Sequence, residues 1–163
     1  MTEPTLAADP GDDAAPESDA VIVRLGAGRF AADLTGVAEV GRLPALTRVP
    51  GVPVWLAGVA NWRGRLLPVL DLRPLLGADA DPPGPRARLV VLTDDGVSAG
   101  IIVDAVDGTD ALGAVEEFPA AIADRGTDLL AGQVPYDDGP IAVLDIRAVL
   151  RLRDELPRTR RTA

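Results

Sequence analysis

The sequence predicts an all-β protein built as two small β-barrels and closed by a short C-terminal helix. Short apolar segments alternate with turn residues about every eight to twelve positions, which is typical of small barrels. In addition, the segment 56–76, LAGVANWRGRLLPVLDLRPLL, recurs without a gap as 130–150, LAGQVPYDDGPIAVLDIRAVL, at an offset of 74 residues. This duplication indicates two similar units related by approximate two-fold symmetry.

In the first half, we expect a hairpin, an irregular stretch and a buried strand. The apolar segment 21–25 meets a glycine-containing turn, and the segment 29–34 then alternates apolar and polar residues, which is a hairpin pattern. Prolines between positions 44 and 53 predict sharp turns, because proline fixes its own φ and disfavours helix at the preceding residue. The run LLPVLDL at 66–72 is short, apolar and bounded by turn residues, so it predicts a buried strand.

The second half repeats this plan after a linker rich in proline and glycine at 77–87. A strand-like segment at 88–92 leads through an Asp-Asp-Gly turn into another, and the repeated segment follows. The spacing of apolar residues over 147–155 predicts the C-terminal helix. Asp71 and Asp145 occupy equivalent positions of the repeat, and we assign them to capping or turning the chain rather than to chemistry.

The two termini are expected to lie outside the folded domain. The N-terminal segment contains six acidic residues, no basic residue and little bulky apolar content, which predicts a disordered tail. We favour a solubilising extension over the alternative, a specific acidic docking arm. The predicted organisation is an acidic tail at 1–19, a domain at 20–152 with halves at about 20–76 and 88–150 joined by the linker 77–87, and a C-terminal tail at 153–163.

The composition removes most catalytic residue types. The chain of 163 residues has no His and no Cys, and each of its 16 basic residues is Arg. It therefore lacks an imidazole base, an amine nucleophile, a thiolate and the usual zinc ligands. Neighbouring acids at 116–117 and 137–138 leave a carboxylate pair as the remaining option, although adjacent acids in loops are usually solvated. We expect no enzyme activity, no metal site and no cofactor.

Charge and apolar content also restrict the partners. The net charge of -9 opposes binding to phosphate backbones, because that affinity comes largely from basic residues. The apolar runs are shorter than a membrane span requires, and the acidic N-terminus is unlike a secretion signal. We expect a cytoplasmic protein that binds other proteins, without nucleic acid and without direct membrane insertion.

Three long segments together resemble one family. They are VPGVPVWLAGVANWRGRLLPVLDLRPLLG at 49–77, ARLVVLTDDGVSAGIIVDAVDG at 87–108 and LLAGQVPYDDGPIAVLDIRAVL at 129–150. The first combines a proline-rich entry, a glycine step, an Asn-X-Arg-Gly turn and a VLDL strand in that order. The sequence therefore resembles the CheW-like domain family, the coupling proteins of bacterial chemosensory arrays.

This resemblance implies a fold and a function. The fold is two five-stranded β-barrels packed about a pseudo-two-fold axis with a hydrophobic seam between them. The function is a non-enzymatic adaptor that joins the cytoplasmic tip of a methyl-accepting chemoreceptor to the regulatory domain of a CheA-type histidine kinase in chemotaxis. One alternative is a scaffold module of a non-motility chemosensory pathway that governs pili, development or a second messenger. Another is a CheW-like module that acts in place of, or belongs to, a larger kinase or receiver-linked protein.

The resemblance also implies the positions that bind partners, and we expect these to be Val37, Glu39, Gly58, Trp62, Arg63 and Val106. Most family members have Leu in place of Trp62, so this residue enlarges the contact and bears on the choice of receptor. We expect Trp62 to be partly exposed, Trp55 to be buried, and Gly64 to adopt a positive φ. We hypothesise that Arg63 and Glu39 form an ion pair that shapes a receptor-facing groove; the alternative is a salt bridge that serves the fold alone.

Overall fold

A computed structural model describes residues 18–79, 81–118 and 127–156. These ranges contain ten β-strands and two short α-helices. The strands are β1 (Ser18–Leu25), β2 (Gly28–Asp33), β3 (Val37–Arg42), β4 (Leu56–Trp62), β5 (Arg65–Leu70), β6 (Arg88–Asp94), β7 (Val97–Val103), β8 (Ala105–Leu112), β9 (Leu130–Val134) and β10 (Ile141–Leu144). The helices are α1 (Arg73–Leu76) and α2 (Ile146–Arg151), and 3-10 turns occur at Leu34–Gly36, Thr127–Leu129 and Leu152–Glu155.

The strands form two five-stranded sheets with the same topology. The strand order is β8-β1-β2-β10-β9 in the first sheet and β3-β6-β7-β5-β4 in the second. Each sheet has three antiparallel pairings and one parallel pairing, which joins β2 to β10 in the first sheet and β5 to β7 in the second. The predicted all-β architecture, with two similar five-stranded units, is confirmed.

The sheets do not coincide with the halves predicted at 20–76 and 88–150. The first sheet combines β1 and β2 with β8, β9 and β10, whereas the second combines β3, β4 and β5 with β6 and β7. Each half therefore contributes its opening hairpin to the sheet that the other half mainly builds. This corrects the assignment of one barrel to each half. The physical reason is that the parallel pairings join strands far apart in the chain, which local patterns do not encode.

Alternation along the central strands divides the core into three apolar clusters. In β1, Val21 and Val23 belong to a central cluster that takes residues from both sheets, whereas Ile22 belongs to a cluster of the first sheet. In β6, Val90 and Val91 are divided in the same way between the central cluster and a cluster of the second sheet. Because both faces of these strands are buried, the sequence of each strand contains a continuous apolar run. The central cluster is the expected hydrophobic seam.

The two copies of the Asp-X-Arg motif end their strands differently. In the second copy, the Asp145 carboxylate caps α2 by accepting a hydrogen bond of 3.1 Å from the Ala148 backbone N–H. In the first copy, Asp71 accepts bonds of 2.9 Å from Nε and Nη2 of the buried Arg73. Nη1 of Arg73 donates to Asp104 at 3.0 Å, and Asp104 also accepts from the backbone of the β1–β2 turn. Arg73 thereby ties the two sheets together, and the assignment of both aspartates to folding is confirmed.

The ends of the described region differ slightly from those expected. Strand β1 begins at Ser18, so the last two residues of the tail predicted at 1–19 belong to the first sheet, and positions 1–17 lie outside the described residues. The helix predicted over 147–155 is confirmed as α2 followed by a 3-10 turn. Of the tail predicted at 153–163, positions 157–163 lie outside the described residues.

Candidate protein-interaction site

The predicted site is built on the hairpin between β4 and β5. Trp62 and Arg65 are the last paired residues, and Arg63 and Gly64 form the two-residue turn with φ values of 52° and 78°. A turn with positive φ at both central positions has the twist that suits a β-hairpin, and the expected positive φ of Gly64 is confirmed. The Asn61 side-chain oxygen accepts a hydrogen bond of 3.1 Å from the Gly64 backbone N–H, which holds the turn closed.

Glu39, in the middle of β3, receives three hydrogen bonds from this hairpin. Its Oε1 accepts from Nη2 of Arg63 at 2.7 Å, from Nε of Arg63 at 3.1 Å and from the indole Nε1 of Trp62 at 3.1 Å. The predicted ion pair between Arg63 and Glu39 is confirmed as a contact. We call these three residues the rim triad. Because β3 and β4 lie at opposite edges of the second sheet, the rim triad joins its two edge strands.

The electrostatics of the rim triad favour an ionised Glu39. The hydrogen bond from Arg63, followed by that from Trp62, lowers the pKa of the Glu39 carboxyl below its ordinary value. The guanidinium carbon of Arg63 also lies 5.6 Å from the centroid of the Trp62 ring, within the range of a cation–π interaction. The Arg63 side chain is 70% exposed, so solvent screening limits what the pair adds to stability.

Gly58 lies in β4, four residues before Trp62, and packs against the segment after β3. The segment after β3 bonds to β4 through Thr47 and Val59, whose backbones exchange hydrogen bonds of 2.9 and 2.8 Å. A Cβ built on Gly58 would lie 2.7 Å from the Thr47 carbonyl oxygen, so only glycine lets the two segments approach this closely. The equivalent Gly132 meets the Glu116 carbonyl oxygen in the same way. The described contacts give Gly58 a packing role.

The two valines of the predicted set lie elsewhere. Val37 at the start of β3 and Val106 in β8 are half-buried, and both pack against the central cluster between the sheets. They belong to different sheets. The structure thus joins Glu39, Trp62 and Arg63 into one contact and places the valines along the seam. Trp55 is buried and Trp62 is half-buried, as expected.

Sequence reasoning missed an exposed apolar residue next to the rim triad. Leu66 in β5 is 79% exposed, although the run LLPVLDL predicts a buried strand. Its neighbour Leu67 and the following Val69 are buried in the cluster of the second sheet, so the period-two alternation places Leu66 on the other face of β5. Leu70 on that face is buried in the central cluster, whereas Leu66 is exposed to solvent. Leu66 pairs with Asn61, one position before Trp62, and therefore lies on the opposite face of the hairpin from Trp62. No local signal identifies it, because both faces of β5 carry apolar residues and alternation alone does not show which of them is covered.

The first sheet carries an equivalent contact with a different charge. Tyr136 follows Trp62 by 74 positions, and its hydroxyl donates to Asp110 of β8 at 3.1 Å. Burial, followed by this hydrogen bond, raises the pKa of the Tyr136 hydroxyl. The turn there contains Asp137 and Asp138, where the first turn contains Arg63.

Among residues 18–79, 81–118 and 127–156, no three acidic side chains form a group that could hold a metal ion.

A last structural finding concerns the helices. In the part of the chain that the structure describes, none is long and apolar enough to cross a bilayer.

Two fused five-stranded sheets with a hydrogen-bonded aromatic rim have the features of a protein-interaction module. The model of the CheW-like domain family matches residues 19–154, so the chain belongs to the CheW-like domain family. The match begins one residue before and ends two residues after the predicted domain at 20–152.

Individual relatives agree with this family. The chain is 34% identical over 122 residues to FrzA of Myxococcus xanthus, covering 74% of this chain and 76% of that protein. It is 45% identical over 85 residues to PilI of Pseudomonas aeruginosa, and that match spans 52% of this chain and 48% of PilI. The crystal structure of the scaffolding protein TtCheW from Thermoanaerobacter tengcongensis superposes with a TM-score of 0.70 at 26% identity, covering 80% of this chain and 90% of that one.

Proposed function

We propose that this protein is a non-enzymatic adaptor that couples the cytoplasmic signalling tip of a chemoreceptor to the regulatory domain of a CheA-type histidine kinase. The observation that carries the proposal is the family match over residues 19–154, together with a shared architecture. The residue types available agree with it, because a chain without His, Lys or Cys is suited to contact rather than to group transfer. A cytoplasmic location follows from the same proposal.

The receptor contact is proposed at the rim triad. Trp62 supplies a large, half-buried aromatic side chain beside an exposed arginine, and Trp and Arg are the residue types most enriched at interface hot spots. The hydrogen bonds to Glu39 hold both side chains in place before binding, which reduces the entropy lost on association. Gly58 keeps the segment after β3 close to β4, and we include Val37 and Val106, which lie along the seam, in the proposed contact.

The kinase contact is proposed around Leu66, on the face of β5 opposite the apolar cluster of the second sheet. An adaptor has to bind both partners at once, so the two contacts require different surfaces. Leu66 lies on the opposite face of the β4–β5 hairpin from Trp62 and exposes 79% of its area. Covering Leu66 with the apolar surface of a partner domain would remove its exposed area from water, which favours association.

Reconstitution tests the proposal. A receptor signalling fragment, a CheA-type kinase and the full-length chain are mixed, and kinase autophosphorylation is followed with and without the chain. The proposal expects receptor-controlled autophosphorylation only when the chain is present, with modest affinity at each contact because such arrays gain strength through multivalency. Failure to bind the kinase regulatory domain and the receptor fragment would exclude the adaptor function for those partners.

A second candidate function is a scaffold of a non-motility chemosensory pathway that governs pili, development or a second messenger. The matches to PilI and FrzA favour keeping this candidate beside chemotaxis. Deletion of the gene distinguishes them: loss of directed swimming supports the chemotaxis function, whereas normal swimming with altered surface motility, development or second-messenger level supports the alternative.

A further inference from the structure

The hydrogen bonds to the Glu39 carboxylate involve only one of its two oxygens. All three hydrogen bonds from Trp62 and Arg63 end on Oε1. Within the described part of the chain, no group of the protein donates a hydrogen bond to Oε2. A carboxylate oxygen is a strong acceptor, and an acceptor left free beside a rigid aromatic and a guanidinium is suited to receive a donor from outside.

The local surface leaves Oε2 accessible. Gly41 lies two residues further along β3 and therefore on the same face as Glu39. A Cβ built on Gly41 would lie 3.5 Å from Oε2, and apart from Gly41 and its two chain neighbours no other residue has an atom within 4 Å of it. The absence of a side chain at Gly41 thus keeps open the approach to Oε2.

We propose that Oε2 of Glu39 is the acceptor for a cationic or amide donor on the receptor tip, and that Trp62 is the positioning residue that aims it. The proposal rests on the proposed receptor contact. Trp62 fixes one oxygen with its indole N–H and supports Arg63 through its ring, so the second oxygen has one orientation before the partner arrives. An arginine, lysine, asparagine or glutamine side chain on the partner would supply the donor.

Three variants of the full chain test the two parts, with binding of a soluble receptor signalling fragment as the measurement. Gly41→Val covers Oε2 and leaves Trp62 and Arg63 unchanged, and we expect binding to weaken roughly tenfold or more. Trp62→Phe keeps an aromatic ring and removes the N–H, and we expect weakening of roughly fivefold to tenfold. Ala38→Val is the matched control, because it adds the same side chain at an exposed position of the same strand, and its binding should equal that of the wild type.

A second measurement separates positioning from simple loss of contact area. In Trp62→Phe the carboxyl of Glu39, followed by NMR titration, should show a higher pKa than in the wild type, whereas in Ala38→Val it should titrate as in the wild type. Binding by Gly41→Val that equals the control would overturn the acceptor role, and an unchanged Glu39 titration would overturn the positioning role. A wild-type chain that does not bind the fragment would instead count against the proposed receptor contact itself.

Discussion

Trp62 and Tyr136 are equivalent residues of the internal repeat, and each donates a hydrogen bond of 3.1 Å to a carboxylate on the third strand of its own half. Glu39 is the acceptor for Trp62, and Asp110 is the acceptor for Tyr136. The contact is thus part of the duplicated plan. The charge is not duplicated, because the first turn pairs its acid with Arg63, whereas the second turn adds Asp137 and Asp138. The two rims therefore present different surfaces to partners.

Removal of the Arg63 side chain should separate function from stability. Arg63→Ala removes the ion pair with Glu39, and because the pair is exposed we expect thermal unfolding to be almost unchanged. Receptor-controlled kinase autophosphorylation should be lost. Wild-type coupling by this variant would leave the ion pair with a role in the fold alone.

The turn conformation predicts a difference between two substitutions at the same position. Arg63 has φ of 52°, a region that disfavours residues with a Cβ. Arg63→Gly should therefore be more stable than Arg63→Ala by roughly 1 kcal/mol, measured by chemical denaturation. Both variants lack the guanidinium and should show the same defect in coupling. Restored coupling in Arg63→Gly would mean that the backbone, and not the ion pair, matters at this turn.

The close approach at Gly58 predicts a loss of stability. In Gly58→Ala the new Cβ would lie 2.7 Å from the Thr47 carbonyl oxygen, so the backbone has to shift. We expect destabilisation of roughly 1–3 kcal/mol by denaturant unfolding. Gly84→Ala is the control, because its Cβ meets no atom within 4 Å and its φ is not positive, and it should unfold like the wild type. Equal unfolding of the two variants would contradict the packing role of Gly58.

The buried Arg73 predicts the largest effect. Arg73→Met leaves Asp71 and Asp104 without their common partner in a site where the Arg73 side chain is only 4% exposed. We expect destabilisation of about 3 kcal/mol, because an uncompensated buried charge is costly. Arg147→Met is the matched control from the repeat, since Arg147 is 77% exposed, and it should change little. A mild effect at both positions would show that Arg73 does not tie the sheets together.

The ionisation of Glu39 predicts a dependence on pH. The pKa of Glu39 is lowered from its ordinary value of 4.5, chiefly by Arg63 and then by Trp62. The ion pair is therefore fully present above the ordinary value and is lost as the pH falls through the lowered pKa. NMR titration should show this low pKa in the wild type and a value nearer the ordinary one in Arg63→Ala. Identical titrations would mean that the ion pair is absent in solution.

Local patterns predict much of this protein. Period-two alternation identifies the strands, because a side chain's face in a strand depends only on its position along it. The repeat of the segment 56–76 identifies two similar units, and the turn residues around Gly64 identify a hairpin. The resemblance of the motifs then supplied the pairing of Arg63 with Glu39, which the structure confirms.

Three features required the folded chain. The exchange of opening hairpins between the sheets depends on parallel pairings such as Ala142 with Phe30, and a local pattern carries no information about a partner so distant. The exposure of Leu66 depends on which face of β5 the second sheet covers. The hydrogen bond from Trp62 to Glu39 joins opposite edges of one sheet. Each of these three features depends on segments that are distant in the chain and that only packing brings together. Strands and turns, by contrast, follow from residues that are neighbours in the chain.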